Sequence, residues 1–209
     1  MAAAGCGGGG GGGDDQRVVA AIGDSITAGN PGYDPHPELR RQLGLGDDPR
    51  SQWEYWAHRE HPDLEFRNCG GRGERTDEIL RHLGDCTSGA DAVVIQGGIN
   101  DLATGVPPQT VLANLRSMVR TANEEELEVA VADLLPYGPA PQADPAIDAL
   151  NRRIAAMARD LGATPLPFHR VLEDPAHPGV MRHDWTADGI HPSVEGYRRL
   201  GELAFRPPG

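Results

Sequence analysis

The sequence predicts an α/β fold in which a parallel sheet carries helices on both faces. Five short runs of apolar residues have the length and composition of strands buried on both sides. Between these runs lie segments in which apolar residues recur at helical spacing. Strands that alternate with helices favour parallel pairing. Ligands of such sheets bind beyond the carboxyl ends of the strands, so we expect reactive side chains directly after the apolar runs.

The predicted elements follow one another without an internal repeat. Strands are predicted at residues 18–23, 64–67, 92–96, 129–132 and 164–168. Helices are predicted at residues 51–60, 74–83, 107–123 and 193–205, the last with Ser193 as a candidate N-cap. A further helix is marked by apolar residues at helical spacing: Ile147, Leu150, Ile154, Met157 and Leu161. Residues 29–50 are rich in Pro and Gly and are expected to form an ordered loop beside the site or a mobile lid.

Length and composition favour one globular domain behind a tail. The chain has 209 residues, of which 38% are hydrophobic and 24% are charged. Residues 1–16 contain an unbroken glycine run at positions 7–13. Ordering such a run costs much backbone entropy and leaves no side chains to pack. We therefore predict a disordered tail over residues 1–16 and a single domain over residues 17–209.

The charge balance excludes several kinds of partner. Acidic residues number 31 and basic residues 19, all of them Arg, which gives a net charge of −12. This surface disfavours binding to nucleic acid and stable association with an anionic membrane. No stretch approaches the roughly 18 apolar residues of a membrane span. The first residues also lack the basic and apolar regions of a signal peptide, so the expected location is the cytoplasm.

Cysteine and histidine content gives no support for a metal centre. Cys6, Cys69 and Cys86 are too few and too irregularly spaced for a disulfide framework or a tetrahedral zinc site. We expect free thiols in a reducing compartment, with a single Cys69–Cys86 disulfide as the alternative. Four histidines lie near the C-terminus with a spacing that matches no zinc pattern: His169, His177, His183 and His191.

The first predicted strand ends at a serine that can act as a nucleophile. Ser25 follows Gly23 and Asp24 where the strand turns into a helix, so the helix N-terminal amides can stabilise an oxyanion beside it. The alternative is that Ser25 only caps the helix. The segment is not the Gly-x-Ser-x-Gly elbow of α/β-hydrolases, because Thr27 stands where that motif requires glycine.

Glycines and an asparagine follow the second and third predicted strands. The turn from Asn68 to Thr76 contains Gly70, Gly71 and Gly73, which allow a backbone amide to approach a ligand. A dinucleotide-binding loop is excluded because Gly-x-Gly-x-x-Gly is not completed, and an ordinary tight turn remains the alternative. Asn100 follows the third strand, where its amide can donate to an oxyanion or cap the next helix.

A carboxylate and a histidine follow the last predicted strand. Asp188 precedes His191 by three residues. Such a pair can form a general base, with the carboxylate holding the imidazole tautomer and the imidazole taking a serine proton. A surface turn with a capping aspartate is the alternative.

Taken together, four segments resemble the conserved blocks of the SGNH (GDSL-type) hydrolases, in the family's order: Gly23-Asp24-Ser25, residues 68–73, Gly98-Ile99-Asn100-Asp101 and Asp188-Gly189-Ile190-His191. The resemblance implies a three-layer α/β/α flavodoxin-like domain with a five-stranded parallel sheet and no cofactor. It also implies that Ser25 is the nucleophile, His191 the base and Asp188 its orienting carboxylate. The Ser25 and Gly73 amides and the Asn100 side chain would form the oxyanion hole. Gly70 competes for this role, but the family's spacing favours Gly73.

The implied activity is hydrolysis of carboxylic esters through an acyl-enzyme on Ser25. Because no long hydrophobic lid is evident, we expect a small or medium soluble ester or an acetylated metabolite as the substrate. Trp53, Tyr55 and Trp56 can stack on a substrate ring or pack in the core, and Arg72 and Arg75 can bind an anionic substrate or pair with nearby carboxylates. The alternatives are an acyltransferase that uses the same acyl-enzyme and a non-catalytic binding module of the same fold.

Overall fold

The computed structural model describes residues 16–29, 48–186 and 188–209. The predicted tail therefore lies outside the described residues apart from Gln16, and so do residues 30–47 of the loop or lid predicted at residues 29–50. In the part of the chain that is described, none of the helices combines the length and the apolar character needed to span a bilayer.

A five-stranded sheet forms the centre of the fold, as predicted. Its strands are β1 (Arg17–Gly23), β2 (Leu64–Gly70), β3 (Ala92–Ile95), β4 (Glu128–Ala132) and β5 (Thr164–Leu166). All pairings are parallel, and the order across the sheet is β2-β1-β3-β4-β5. The chain leaves β1 toward one edge and returns to place β3 on the other side of β1. This reversal opens a crevice at the carboxyl end of β1, where open sheets of this kind bind ligands.

Helices and short turns surround the sheet. The α-helices are α1 (Ser25–Ala28), α2 (Trp53–Glu60), α3 (Thr76–Arg81), α4 (Leu83–Thr87), α5 (Ile99–Ala103), α6 (Pro108–Glu124), α7 (Asp144–Asp160), α8 (Phe168–Leu172) and α9 (Val194–Arg199). Three 3-10 turns lie at Pro49–Ser51, Pro141–Ala143 and His183–Trp185, and a π-helical turn at Leu200–Ala204. A hairpin of β6 (Glu173–Asp174) and β7 (His177–Met181) leads into the segment that carries Asp188 and His191.

Alternate residues of each strand face two separate hydrophobic cores. Ala20, Ile22 and Ile95 point to one core, which α3, α4, α6 and α7 complete. Val19 and Val94 point to the other, which α2, α8, α9 and the π-helical turn complete. β3 and the central residues of β1 and β4 are hydrophobic throughout because both faces are covered there, whereas the edge strand β2 alternates with polar residues. The predicted three-layer α/β/α fold is thus confirmed.

Aromatic side chains dominate the second core. Trp53 is fully buried, with its ring centroid 5.5 Å from that of Phe205 and 5.8 Å from that of Phe168. Its interpretation as a core residue is therefore correct. Tyr55 and Trp56, by contrast, are half-buried on the same helix, with ring centroids 5.1 Å apart.

Several predicted boundaries differ from the structure. The helix predicted at residues 74–83 begins later and ends earlier, as α3, and a second helix, α4, follows it from Leu83 to Thr87. His82 at their junction leaves helical geometry, and its amide donates to the Ile79 carbonyl in a tighter turn. The helix predicted at 193–205 ends as α9 and continues as a π-helical turn. There Gly201 approaches α2 so closely that a Cβ would lie 2.5 Å from the Trp53 carbonyl oxygen.

The expectation of free thiols is wrong for two of the three cysteines. Cys69 and Cys86 form a disulfide, with an S–S distance of 2.19 Å and Cα atoms 6.1 Å apart. The bond joins the end of β2 to α4, two elements that pack against the same core. Sequence spacing alone could not show this pairing, because the proximity arises from the packing of α4 beside the sheet. Cys6 lies outside the described residues.

Candidate active site

The residues expected to carry chemistry gather at the carboxyl edge of the sheet. Ser25 opens α1 directly after β1, and Asn100 lies in α5 directly after β3. Gly73 belongs to the turn between β2 and α3. Because the strands are parallel, their carboxyl ends meet at one edge, and this edge is where the crevice was expected.

Asp24 shapes the turn that presents Ser25. It is the N-cap of α1, and its Oδ1 accepts the amide of Ile26 at 2.9 Å. The carboxyl group is fully buried, which raises the pKa of Asp24 to about 6, although the Ile26 amide acts in the opposite direction. Glycine is needed immediately before it, since a Cβ at Gly23 would lie 2.3 Å from the Thr27 hydroxyl and 2.7 Å from the Gln96 carbonyl.

A continuous hydrogen-bonded chain joins Ser25, His191 and Asp188. The distance from Ser25 Oγ to His191 Nε2 is 2.9 Å, and that from His191 Nδ1 to Asp188 Oδ2 is 2.8 Å. His191 is buried, whereas the side chain of Asp188 keeps 27% of its surface exposed. Serine, imidazole and carboxylate in this order are the arrangement that activates a hydroxyl as a nucleophile.

The Asp188 carboxylate holds the shape of its own loop. Its Oδ1 accepts the amides of Ile190 at 2.9 Å and His191 at 2.7 Å. Partial burial acts to raise the pKa of Asp188, but the His191 amide and imidazole and the Ile190 amide together outweigh it and lower the pKa. In the neutral form of the imidazole, an ionised Asp188 favours the tautomer with the proton on Nδ1, in which the lone pair of Nε2 faces the serine hydroxyl.

The two candidate oxyanion glycines occupy different surroundings. Gly70 lies against α1, where a Cβ would sit 2.0 Å from the Ala28 amide nitrogen, and its own amide donates to Asn68 Oδ1 at 2.9 Å. Gly73 has a φ of +76°, and no atom lies within 4 Å of the position its Cβ would occupy. The Gly70 amide is thus already used, whereas the space where a Gly73 Cβ would lie is open.

Asn100 is held against the same turn. Its Nδ2 donates to the carbonyl oxygen of Glu74 at 2.9 Å, directly beyond Gly73. The neighbouring Asp101 is buried and accepts both the amide of Thr76 at 2.8 Å and its hydroxyl at 2.6 Å. These contacts fasten α5 to the turn, and they leave the second N–H of the Asn100 amide for another acceptor.

The histidines near the C-terminus do not assemble into one cluster. Each contacts a different carboxylate, in the pairs His169–Asp144, His177–Asp174, His183–Asp184 and His191–Asp188. Among the described residues, one group has donor atoms close enough to share a metal ion: Asp144, Asp148 and His169, within 4.8 Å of one another. An imidazole–carboxylate hydrogen bond of 3.2 Å accounts for the proximity of His169 to Asp144.

The two arginines near Gly73 differ in their surroundings. Arg75 pairs with Asp77 at 3.1 Å, as expected if it serves to pair with a nearby carboxylate. Arg72 is exposed on the turn next to Gly73.

Sequence reasoning missed Gln96 and the role of Asn68. Gln96 Oε1 accepts the amide of Asp24 at 3.3 Å and the hydroxyl of Thr27 at 3.0 Å, so it holds both ends of the serine turn. Asn68 Nδ2 donates to the Thr27 carbonyl at 2.6 Å and to the buried Glu54 at 3.0 Å. A glutamine that ends the most apolar strand was the available signal for the first of these contacts, because buried amides require partners.

Comparison with solved structures finds the same fold in several other proteins. Solved structures with the same fold include a lipolytic protein of the G-D-S-L family from Desulfitobacterium hafniense, at 24% identity over 90% of this chain and 96% of the other, with a TM-score of 0.72. A GDSL-like lipase from Bacteroides thetaiotaomicron has 21% identity over 91% and 86%, with a TM-score of 0.68. A mutant of Axe2, an acetyl-xylooligosaccharide esterase from Geobacillus, has 20% identity over 89% and 90%, with a TM-score of 0.65.

At these identities the structural matches show the fold, and the family is shown by the sequence. No curated protein matches the chain. The model of the GDSL-like lipase/acylhydrolase family, however, matches residues 21–199 and so includes all four of the segments described above. The chain therefore belongs to the GDSL-like lipase/acylhydrolase family.

Proposed function

We propose that this protein hydrolyses carboxylic esters through an acyl-enzyme on Ser25. The observation that carries the proposal is the hydrogen-bonded chain from Ser25 through His191 to Asp188. Family membership supports a hydrolase of acyl groups in general. The hydrogen-bonded chain supports the specific assignment of serine as the nucleophile.

In the proposed mechanism, His191 Nε2 takes the proton of the Ser25 hydroxyl as Oγ attacks the ester carbonyl. Asp188 stabilises the imidazolium that forms, and its lowered pKa keeps it ionised at neutral pH. His191 then gives the proton to the departing alcohol, which leaves an acyl group on Ser25 Oγ. Water activated by the same imidazole attacks this ester, and Ser25 is regenerated with release of the acid.

Negative charge on the carbonyl oxygen requires donors at the tetrahedral stage. We assign this role to the Ser25 and Gly73 amides and to the Asn100 Nδ2 group. The open space at Gly73 and the position of Asn100 beside the same turn support the assignment. Preorganised donors of this kind act mainly on the transition state, in which the charge is fully developed.

We further propose a small or medium soluble ester, or an acetylated metabolite, as the substrate. Among the described residues, Leu203 is the one large hydrophobic side chain that is exposed, at 49%. An enzyme that works at an oil–water surface needs a larger apolar patch. The described surface therefore favours substrates that are already in solution.

The test is hydrolysis of p-nitrophenyl esters from acetate to long acyl chains by the wild type and by Ser25→Ala. We expect the substitution to lower the rate by about 10³-fold to 10⁶-fold. The matched control is Ser117→Ala, at an exposed position on α6, which should leave the rate unchanged. A fluorophosphonate probe should label the wild type and Ser117→Ala, and it should spare Ser25→Ala.

Each part of the proposal has its own contrary result. Normal turnover by a folded Ser25→Ala variant would exclude the serine mechanism. Faster hydrolysis of long-chain than of short-chain esters would exclude the proposed substrate class while leaving the mechanism intact. Formation of a new ester in the presence of excess alcohol would indicate transfer instead of hydrolysis.

A further inference from the structure

Among its described residues, the loop that carries Asp188 and His191 has no helix or strand of its own. Its base is an isolated antiparallel bridge between Thr186 and Pro192. Since no continuous ladder of backbone hydrogen bonds sets its shape, side chains and single backbone contacts must do so. Asp188 supplies two of these contacts through its Oδ1.

Thr186 supplies another two of the contacts that shape this loop, both through its hydroxyl group. Its Oγ1 accepts the amide of Gly189 at 2.8 Å and donates to the carbonyl oxygen of His191 at 2.9 Å. The hydroxyl thus joins the residue after Asp188 to the backbone of His191 across the inside of the loop. Both capacities of the hydroxyl are used, one as an acceptor and one as a donor.

A second segment holds the loop from outside. The amide of Gly138, in the connection after β4, donates to the Gly189 carbonyl at 2.9 Å. Gly189 has a φ of +83°, a conformation that glycine adopts without strain. Gly189 is therefore fixed on both sides, at its amide by Thr186 and at its carbonyl by Gly138.

We propose that Thr186 is a positioning residue, whose hydroxyl holds the Asp188–His191 pair in the geometry that activates Ser25. This inference rests on the proposed function. The residue contacts neither the serine nor the substrate in our mechanism, and it acts through the backbone on both sides of the pair. Loss of the hydroxyl removes the contacts with the Gly189 amide and the His191 carbonyl oxygen, so the loop holds the imidazole less precisely toward Ser25 Oγ. Displacing a catalytic group by about 1 Å can cost about 10²-fold in rate.

The test compares Thr186→Val, which keeps the side-chain shape without the hydroxyl, with Thr186→Ser, which keeps the hydroxyl. We expect Thr186→Val to lower kcat by about 10-fold to 100-fold with KM changed less than about 3-fold, and Thr186→Ser to remain near the wild type. The control is Thr87→Val. The buried Thr87 hydroxyl likewise has polar neighbours, with the Leu83 carbonyl oxygen at 3.0 Å, a Glu125 carboxylate oxygen at 3.0 Å and the Gly84 carbonyl oxygen at 3.4 Å. It lies in α4 before β3, at the opposite edge of the sheet.

A spectroscopic measurement separates this inference from the proposed function. The His191 Nδ1 proton shared with Asp188 should give a low-field proton resonance in the wild type, in Thr186→Ser and in Thr87→Val. It should broaden or disappear in Thr186→Val. If the wild type cleaves no ester but the resonance still depends on Thr186, the proposed function fails and the positioning role stands. If Thr186→Val keeps both kcat and the resonance, or if Thr87→Val lowers kcat equally, the positioning role is refuted.

Discussion

The buried carboxyl group of Asp24 should make the stability of the fold depend on pH in a direction opposite to that of most carboxylates. Burial raises its pKa from 3.8 to about 6. Between these values the folded protein binds a proton more readily than the unfolded chain. Stability is therefore greatest on the acid side of this window, and it falls as the pH rises through it.

The magnitude follows from the width of the window. A rise of about 2 units in the pKa of Asp24 corresponds to about 3 kcal/mol of stability, most of which is lost as the pH rises from 4 to 7. The change Asp24→Asn removes the ionisation, and the amide oxygen can still accept the Ile26 N–H. The free energy of unfolding of Asp24→Asn minus that of the wild type should therefore increase by about 2 to 3 kcal/mol as the pH rises from 4 to 7.

Urea unfolding followed by circular dichroism at several pH values measures this difference directly. Comparing the two proteins removes the contributions of all other titrating groups. The control is Asp63→Asn, at an exposed position before β2, which should follow the wild type at every pH. If the curves of Asp24→Asn and the wild type stay parallel from pH 4 to pH 7, Asp24 is ionised in the folded state and the reasoning is refuted.

Two further substitutions test other parts of the structure. Asn100→Ala should lower kcat by about 10²-fold to 10³-fold with p-nitrophenyl acetate, because one oxyanion donor is lost. The control Asn123→Ala, on α6, should leave kcat unchanged. Equal kcat values for Asn100→Ala and the wild type would remove Asn100 from the proposed site. Replacing both cysteines of the disulfide, Cys69→Ser with Cys86→Ser, should lower the free energy of unfolding by about 3 kcal/mol, since the bond closes a loop with a sequence separation of 17. An unchanged urea midpoint would show that packing alone holds α4 against β2.

Local patterns were sufficient to predict the elements whose burial is uniform. The strand runs around Val19 and Val94 are buried on both faces, so their apolar character identifies them directly. The long helix α6 is not uniformly buried, but its pattern is equally local, because its apolar residues recur at helical spacing on the face that packs in the core. Ser25 and Asn100 could be named because parallel topology places the residues after the strands at one edge. Asp188 and His191 are separated from β5 by a helix and the β6–β7 hairpin, and they were named from their spacing and from the family resemblance.

Features that depend on contacts between distant segments could not be predicted in this way. The break between α3 and α4 occurs at His82, whose side chain binds Glu74 at 2.7 Å in the preceding turn. The π-helical turn near Gly201 depends on its approach to α2. Gln96 and Thr186 likewise contact loops whose positions only the assembled fold defines.

The wide separation of the site residues along the chain has a consequence for biosynthesis. Ser25 and His191 are 166 positions apart, and all of β2, β3, β4 and β5 lie between them. A nascent chain therefore carries the serine long before it carries the imidazole, and no fragment that ends before His191 contains the complete arrangement. Closing so long a segment depends on completion of the sheet, since contacts distant in sequence form only once loop-closure entropy is overcome. Ester hydrolysis would thus begin only when the whole chain is made and folded, and incomplete chains would not consume substrate.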